Sequence, residues 1–551
     1  MIAGLGGGYV LLGSCTSTSR PADIDAEFLH GVASGDPTPT AIVIWTRVSS
    51  PGVEAITVEF EVALDAAFQD IIRSGKTLTS AARDFTVKVD VTSLSPGTRY
   101  FYRFRAGSIR SATGRTRTLP KASARKVRLA VASCANYGSG FYNAYRAIAE
   151  QDDLDAIVHL GDYIYEYGID GYDGETGRAL GRLVDPPHET ITLDDYRKRF
   201  ACYRKDTDLQ AAHAAAPFIS VWDDHETANN SWMGGAGNHD ADAEGSWERR
   251  RDAALQVYFE WMPMRDPRPG EAFRSLARTY EFGKVVSLHL IESRLTGRDQ
   301  PLSLSAIAAS AEAPNAVLSD PGRTMLGLRQ EKWLEHEFSA SVSNGIAWQL
   351  LGNQTVMSPM LTPDYLQILP DDILDPILAA DGYAANWVRR SALGLPVNLD
   401  SWDGYPAARA RLLSSAIKAN ANLVVLSGDS HMFWANDLFR EPDNMFAGVE
   451  FATGSITSPG GYQSLSPDER IFGIAASATV EKNEGVRAAN VRDKGFVLLE
   501  VTEGSVEARY VRVNTIAARD FQAETFLIAR TERDIEGRLS TLTIAQDSQS
   551  R

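Results

Sequence analysis

The chain has 551 residues, too many for one hydrophobic core, so we expect two domains or one large decorated domain. It is 44% hydrophobic and 23% charged, an ordinary globular composition that argues against long disordered stretches. The formal net charge is -16, and a surface of that sign repels nucleic-acid phosphates, so no stable nucleic-acid partner is expected.

Residues 1–27 have the features of a processing segment. Met1 to Ser14 is small, apolar and uncharged, and it leads into Cys15 through a loose lipoprotein-type cleavage box. The basic region that opens such segments is missing, and a frayed apolar tail is the alternative interpretation. We expect export, to the periplasm, the extracellular space or the outer surface. Whether Cys15 carries a lipid anchor stays open.

The region 28–120 is predicted to be a small β-sandwich. Three runs, over 41–45, 56–62 and 85–91, are β-branched or alternate between apolar and polar residues. Leu94, a Pro-Gly turn and Tyr100 at the start of the next strand resemble the tyrosine corner of immunoglobulin-like and fibronectin-type domains. Nothing in this region suggests chemistry.

After a basic linker around Pro120, the pattern over 126–515 changes to buried-type strands that alternate with helices. This order indicates an α/β layered domain. The more charged residues 516–551 are predicted to form a C-terminal helix and tail. The predicted strands of the layered domain lie over 127–132, 156–160, 218–222, 285–291, 348–351 and 423–426.

Metal-capable residues follow five of these strands. Ligands of open α/β domains bind beyond the carboxyl ends of the strands, so these side chains are expected to meet in one crevice. The five endings are Ser133-Cys134-Ala135-Asn136, Gly161-Asp162-Tyr163-Ile164-Tyr165-Glu166, Asp223-Asp224-His225-Glu226, Gly352-Asn353-Gln354 and Gly428-Asp429-Ser430-His431.

Each ending taken alone has an ordinary structural interpretation. Cys134 is of a type usually buried as a small apolar residue, Asp162 could cap a helix, and Asn353 could be a polar turn residue. The run of three carboxylates and one imidazole over 223–226 is different, because these groups would repel one another without a cation. Thiolate, phenolate and imidazole suit a transition metal such as iron, whereas carboxylate and amide oxygens suit calcium, magnesium or manganese.

The motifs together resemble the PhoD-like alkaline phosphatases of the calcineurin-like metallophosphoesterase superfamily. Their order and spacing cover residues 28–515. The motifs are Phe28-Leu29-His30-Gly31-Val32-Ala33-Ser34-Gly35-Asp36-Pro37, Ile44-Trp45-Thr46-Arg47, Ala132-Ser133-Cys134, His159-Leu160-Gly161-Asp162-Tyr163-Ile164-Tyr165-Glu166, Val221-Trp222-Asp223-Asp224-His225-Glu226 with Asn229-Asn230, and Leu426-Ser427-Gly428-Asp429-Ser430-His431.

The resemblance implies a layered α-β-β-α metallophosphoesterase domain preceded by a small β domain, in an exported enzyme. It also implies a ferric ion with one or two calcium ions, for which manganese, magnesium or zinc could substitute. Asp162 would bridge the two kinds of metal, and Asp223 would be either a ligand or a support. The implied iron ligands are Cys134, Asp162, Tyr165 and His431, and the implied further oxygen ligands are Asp224, Asn353 and Asp429.

From this set we expect a metal-bound hydroxide to attack the phosphorus of a small phosphate ester. His225 would protonate the leaving alkoxide, and Arg294 would clamp the phosphate unless it forms only a salt bridge. Asn136 and Asn230 are further candidates for phosphate binding. One departure from the family pattern is Glu292, which stands where members carry Asp and puts the reach of Arg294 in question.

The predicted function is that of a secreted, metal-dependent alkaline phosphatase acting on mono- or diesters. One alternative is a phosphodiesterase or phospholipase D-type enzyme on the same scaffold. The other is a non-catalytic calcium-binding surface module, against which the thiol of Cys134 argues, because structural calcium has no use for sulfur. The oligomeric state cannot be inferred, and neither can a pairing of Cys134 with Cys202.

Overall fold

The computed structural model describes residues 26–50, 52–122, 124–268, 276–303, 318–380 and 382–546. The predicted processing segment, with Cys15, therefore lies outside the described residues except for its last two positions. Within the described part of the chain, no helix is long and apolar enough to cross a membrane.

The strands and helices follow the predicted order closely over 126–515. The strands are β1 Val32–Gly35, β2 Ile42–Arg47, β3 Ala55–Ala63, β4 Ile71–Ser80, β5 Thr86–Val91, β6 Arg99–Ala106, β7 Ile109–Arg110, β8 Gly114–Arg117, β9 Lys126–Ala132, β10 Ala156–His159, β11 Phe218–Ser220, β12 Arg278–Phe282, β13 Val286–Leu290, β14 Trp348–Gly352, β15 Leu423–Ser427, β16 Phe433–Arg440, β17 Met445–Ala452, β18 Val486–Asn490, β19 Lys494–Thr502, β20 Ser505–Val513, β21 Ala523–Glu532 and β22 Thr543–Gln546. The α-helices are α1 Asn143–Ala149, α2 Gly174–Leu180, α3 Leu193–Arg204, α4 Thr207–Ala215, α5 Ala241–Glu244, α6 Trp247–Trp261, α7 Gly327–Ser343, α8 Tyr365–Ile368, α9 Asp371–Ala379, α10 Tyr383–Ser391, α11 Pro406–Ala419 and α12 Arg470–Lys482.

The described strands form two large sheets and one small one. The first sheet has the order β22-β21-β20-β19-β9-β10-β11-β1-β2-β5, the second β12-β13-β14-β15-β17-β16-β18, and the third β4-β3-β6-β7 with β8 beside β6. At the centre of the first sheet β9, β10 and β11 run parallel, and so do β13, β14, β15 and β17 in the second. Parallel strands bring their carboxyl ends to a common edge.

The two large sheets pack face to face between helical layers. One buried cluster joins Leu129 and Val158 of the first sheet to Leu288 and Leu350 of the second, and it extends to Phe200 of α3. A second cluster packs α7 and α11 against the outer face of the second sheet. The strands are buried on both faces, which explains their continuous apolar runs. The layered α-β-β-α architecture is confirmed.

The N-terminal region is a sandwich that shares one sheet with the large domain. Its core lies between β2 and β5 on one side and β3 and β6 on the other. The Tyr100 hydroxyl bonds the backbone of Ser95, as a tyrosine corner requires. However, β1 pairs in parallel with β11 at Gly35 and Phe218, so the region 28–120 is not structurally separate. Gly35 permits this approach, because a Cβ there would meet Phe218 O at 2.5 Å.

The predicted C-terminal helix over 516–551 is wrong. Residues 523–532 form β21, which pairs with β20, and β22 pairs with β21 to end the first sheet. The side chains of Leu527, Ala529 and Thr531 are buried and alternate with more exposed neighbours, the period-two pattern of a strand with one buried face.

Candidate metal centre

Loops that follow strands of both large sheets bring the predicted ligands together. Three groups have ligand atoms within 4.8 Å of one another, and their members are Cys134 with Asp162 and His431, Asp162 with Asp224 and His225, and Asp223 with Asp224 and Asp429. Asp162 and Asp224 each belong to two groups. The three groups therefore form one continuous cluster, linked through Asp162 and Asp224.

The backbone at this cluster adopts a conformation that L-residues avoid. Cys134, Asp162, Asp429 and His431 have φ values of 61, 55, 60 and 60°. A non-glycine residue in the left-handed region costs about 1 kcal/mol or more, and such residues concentrate at functional sites. Four such residues at one cluster indicate that the fold maintains an unfavourable backbone conformation that positions these side chains.

The first group surrounds the hydroxyl of Tyr165. That hydroxyl lies 3.0 Å from Asp162 Oδ2 and 3.1 Å from His431 Nε2, and the Ser458 hydroxyl contacts it at 2.8 Å. His431 is oriented by its other nitrogen, because Nδ1 lies 2.7 Å from the carbonyl oxygen of Pro459. A backbone partner for one imidazole nitrogen is the usual way to direct the other toward a metal. Cys134 is a buried free thiol in the same group, and Cys202 is also free.

The second part of the cluster is a set of carboxylates around Arg294. The guanidinium bonds the carboxylate of Asp223, donates to Asp400 Oδ2 at 2.5 Å and to Asp429 Oδ1 at 3.0 Å, and lies 3.6 Å from Asp224 Oδ1. Arg294 is fully buried and does not line the cavity above the site. Its predicted role as a phosphate clamp is therefore not supported: its donors are committed to carboxylates, and it acts as their counter-charge.

Glu292 holds the turn that carries Arg294. Its carboxylate accepts hydrogen bonds from the backbone of Arg294, Leu295 and Thr296 and from the indole of Trp222. Glu292 is 1% exposed and does not line the cavity. The Glu292 carboxylate thus stabilises the turn that carries Arg294, and it does not reach the ligand cluster.

His225 is fixed by a buried acid that the sequence analysis did not assign. Nδ1 of His225 lies 2.7 Å from Glu166 Oε2, and the imidazole stacks on the Tyr165 ring with centroids 4.1 Å apart. Glu166 also accepts from the backbone of Asn229 and the amide of Asn238. Glu166 directly follows Tyr165 in one of the predicted site motifs, and this position in the sequence could have indicated that Glu166 belongs to the site.

Burial and mutual repulsion keep protons on several ligands in the absence of a cation. Burial raises the pKa of Cys134 well above its usual value, and the Asp162 carboxylate adds to the effect. Burial and Asp162 act in the same direction on the pKa of Tyr165. Burial also raises the pKa of Asp429 to about 7, although Arg294 opposes the shift. A metal that takes up these ligands must displace their protons.

The opposite balance applies to the pKa of His225. Burial alone would lower it, but the carboxylates of Asp224, Glu166 and Asp162 raise it well above 6.5. The neighbouring carboxylates therefore favour the protonated imidazole. The pKa of Asp224 is held below its usual value because Arg294 and His225 outweigh the effect of burial.

Two of the predicted site residues, Asn353 and Asn136, form hydrogen bonds with other groups of the protein. The amide oxygen of Asn353 accepts from Trp402 Nε1 at 2.9 Å, and its nitrogen donates to Thr355 and Ser427, so this geometry does not support a ligand role. Asn136 caps the following turn through Gly138 and lines a separate small cavity behind Tyr165, which does not fit phosphate binding. A local turn accounts for Asn136, whereas the partners of Asn353 include Trp402 and Ser427 from distant parts of the chain.

Two further residues organise the site and were missed. Glu226 accepts from the backbone amides of Asp162, Tyr163 and Asp223, and so ties two ligand loops together. Asp400 is the fourth carboxylate around Arg294. Glu226 lies in the acidic run over 223–226, whereas no pattern in the sequence points to Asp400.

A cavity of about 790 Å³ opens onto the cluster. Its floor carries the ligand groups and the imidazole, and Asn230 lies at the edge, with its backbone amide bonded to Asp224 at 2.6 Å. The floor residues are Asp162, Asp224, His225, Asp429 and His431.

The donor set fits metal ions. Asp223 Oδ2 and Asp224 Oδ1 are buried and have no hydrogen-bond partner among the described residues, which is costly unless a cation satisfies them. The other potential ligands combine a thiol, a phenol and an imidazole, a set typical of a transition-metal site.

Comparisons with known proteins identify the family of the chain. The family described as PhoD-like phosphatase matches residues 129–510, and its N-terminal domain family matches residues 14–120. The chain is 34% identical over 476 residues to alkaline phosphatase D of Bacillus subtilis (strain 168), covering 83% of this chain and 75% of that protein. It also matches a solved structure described as the structure of PhoD, with a TM-score of 0.77, 30% sequence identity, and coverage of 95% of this chain and 92% of that chain.

The layered fold, the ligand cluster and these relatives define a phosphoric ester hydrolase. The chain belongs to the PhoD-like phosphatase family.

Proposed function

We propose that the protein is an exported, metal-dependent alkaline phosphatase that releases phosphate from small phosphate esters. The observation that carries the proposal is the convergence of Cys134, Asp162, Asp224 and His431 in one continuous ligand cluster. Asp162, Asp224 and His431 of this cluster line a cavity together with His225. Export is inferred from the sequence of residues 1–27. A lipid anchor on Cys15 is a further proposal that depends on export.

We assign a ferric ion to Cys134, Asp162, Tyr165 and His431, and calcium to the carboxylates of Asp162, Asp224 and Asp429, with Asp223 beside them. Manganese, magnesium or zinc are alternative occupants. Bound cations would neutralise phosphate oxygens and lower the pKa of a coordinated water. The ligand carboxylates balance the charge of the bound cations, and the buried guanidinium of Arg294 balances part of the charge of those carboxylates.

His225 is the proton donor to the leaving alkoxide in this proposal. The Glu166 contact fixes Nδ1 and leaves Nε2 as the nitrogen for the substrate, and the Glu166 carboxylate favours the protonated imidazole by raising its pKa. General acid catalysis of this kind is worth roughly 10²- to 10⁴-fold. Asn230, at the cavity edge, remains a candidate to contact the phosphate.

The preference for mono- or diesters stays open, so a phosphodiesterase or phospholipase D-type activity is the alternative within the same chemistry. The calcium-binding module without activity has no support from the family. It would give calcium-dependent melting and no hydrolysis with any metal.

The decisive experiment combines elemental analysis of purified protein with assays on p-nitrophenyl phosphate and bis(p-nitrophenyl) phosphate, before and after chelation. We expect iron and calcium, hydrolysis of at least one ester, and loss of activity that metal restores. Absence of hydrolysis with every metal tried would refute the proposal.

A paired variant tests the proton donor. His225→Ala should retain metal but lose turnover, most strongly on alkyl esters with poor leaving groups. The exposed His188, whose side chain is 63% accessible, provides the control, since His188→Ala should change neither property. Unchanged rates on alkyl esters in His225→Ala would exclude the proton-donor role.

A further inference from the structure

The cavity above the metal centre has an apolar half that a phosphate group does not need. Its volume of about 790 Å³ lies within the range of sites that hold drug-sized ligands. We call the apolar part of the cavity lining the aromatic wall, which consists of Val356, Met360, Trp387, Met432, Trp434 and Tyr462.

The aromatic wall is built as a rigid surface. Trp387 of α10 meets the Tyr462 ring edge to face, with centroids 5.7 Å apart and an interplanar angle of 83°. Tyr365 of α8 supports both rings, at 5.0 Å from Trp387 and 6.1 Å from Tyr462. The hydroxyls of Tyr365 and Tyr462 bond each other at 3.0 Å, so the polar ends of these side chains are satisfied within the wall.

Two polar side chains at the wall are committed to neighbouring groups. Asp403 lines the cavity, but its carboxylate binds Arg409 at 2.6 Å and the backbone amide of Met360 at 3.0 Å. Trp434 donates its indole N–H to the hydroxyl of Ser430 at 3.1 Å. Neither group is therefore free to bind a hydrophilic substituent.

Among the described residues that line the cavity there is no lysine or arginine. Away from the floor, a second phosphate or a carboxylate on the substrate would therefore find no lysine or arginine to pair with. The aromatic wall thus offers no charge that would favour a polyanionic ester.

We infer that the aromatic wall binds an apolar, ring-bearing group on the alcohol side of the phosphate ester. This inference rests on the proposed function and adds to it the chemical class of the alcohol. With the phosphate at the ligand floor, a group attached to the ester oxygen extends into the rest of the same cavity, where aromatic rings stack favourably.

The test uses two esters with nearly identical leaving groups, ethyl phosphate and 2-(2-naphthyl)ethyl phosphate, and the metal-loaded full-length enzyme. We expect kcat/KM to be roughly 10- to 100-fold higher for the naphthyl ester, the effect of burying one ring system. Trp387→Ala should reduce that ratio about tenfold, mainly through KM, and Trp387→Phe should restore part of it.

Leu393, 64% exposed just after α10 and outside the cavity lining, supplies the control, since Leu393→Ala should leave the ratio unchanged. Equal kcat/KM for both esters, or a ratio insensitive to Trp387→Ala in a variant with full metal content, would overturn the inference while leaving the phosphatase function intact. If neither ester is hydrolysed, the proposed function fails instead. The wall is then tested by titration with the corresponding naphthylethyl and ethyl phosphonates, and equal affinities would overturn it.

Discussion

Arg294 is hydrogen-bonded to Asp223 in a pair that solvent does not reach, with side-chain exposures of 0% and 1%. Removing one partner of a buried ion pair typically costs about 3–5 kcal/mol, because the other charge stays buried. Arg294→Met should lower the free energy of unfolding of the metal-free protein by about this amount. Added metal should recover part of the loss, because cations replace the missing charge. Chemical denaturation with and without metal measures both effects.

Arg409→Met provides the comparison for this prediction. Arg409 is also buried in an ion pair, with Asp403, but its ion-pair partners lie outside the ligand cluster. Its loss should destabilise the protein to a degree that metal does not relieve. Equal metal rescue of both variants would contradict the role of Arg294 as the counter-charge of the carboxylates.

Asp162→Asn should abolish activity and strongly reduce the metal content, because Asp162 belongs to two of the ligand groups. Asp437→Asn is the matched control, since Asp437 is also buried but is bonded to Leu542 and Arg487. Elemental analysis and turnover decide the outcome. Retained turnover in Asp162→Asn would exclude a bridging role.

Tyr165→Phe should remove a visible absorption band from iron-loaded protein, because tyrosinate bound to ferric iron gives a purple charge-transfer transition. The ring that stacks on His225 is kept, so only the hydroxyl changes. Tyr172→Phe is the control: Tyr172 stacks on Tyr165, but its hydroxyl donates to the carbonyl of Pro459. Iron-replete wild-type protein without colour would remove Tyr165 or iron from the scheme.

Gly161→Ala should destabilise the protein by roughly 2–4 kcal/mol and impair metal binding. Gly161 has a φ of +104°, and a Cβ there would lie 2.3 Å from the backbone nitrogen of Asp223. Gly181, with a φ of +66° and no atom near its Cβ position, isolates the cost of the backbone conformation. Gly181→Ala should cost about 1 kcal/mol and leave metal content unchanged. Equal effects of the two variants in thermal and metal assays would contradict the packing argument.

The stability of the protein should fall with pH below about 6.5. Burial lowers the pKa of His30, His159 and His289 to about 3, so the unfolded chain binds protons between pH 6.5 and 3 that the folded chain does not. Each histidine therefore removes about 1.4 kcal/mol of stability per pH unit in that window.

His30→Leu tests this dependence cleanly, because neither ring nitrogen of His30 has a hydrogen-bond partner among the described residues. The variant should reduce the pH slope by about 1.4 kcal/mol per unit, measured by denaturation at several pH values between 6.5 and 4. An unchanged slope would show that His30 is not a neutral buried group.

The sequence alone was sufficient to predict the layered domain and the ligand endings. Buried parallel strands need continuous apolar runs, and the residues after them must lie at one edge, so Cys134, Asp162, Asp224 and His431 could be grouped without coordinates. The C-terminal strands were missed because alternation over 523–532 is weak beside many charged residues. The junction of the N-terminal sheet with β11 has no local signal at all.

Only the tertiary structure decided how the individual groups are used. The sequence suggested that Arg294 was available for phosphate, but the structure places four carboxylates from distant loops around it. It suggested Asn353 as a ligand, but Trp402 donates to the amide oxygen of Asn353. A strand pattern is a property of neighbouring residues, whereas the partner of a buried polar group comes from elsewhere in the chain. The sequence could therefore predict where the chemistry lies, but the roles within it depend on contacts that only folding creates.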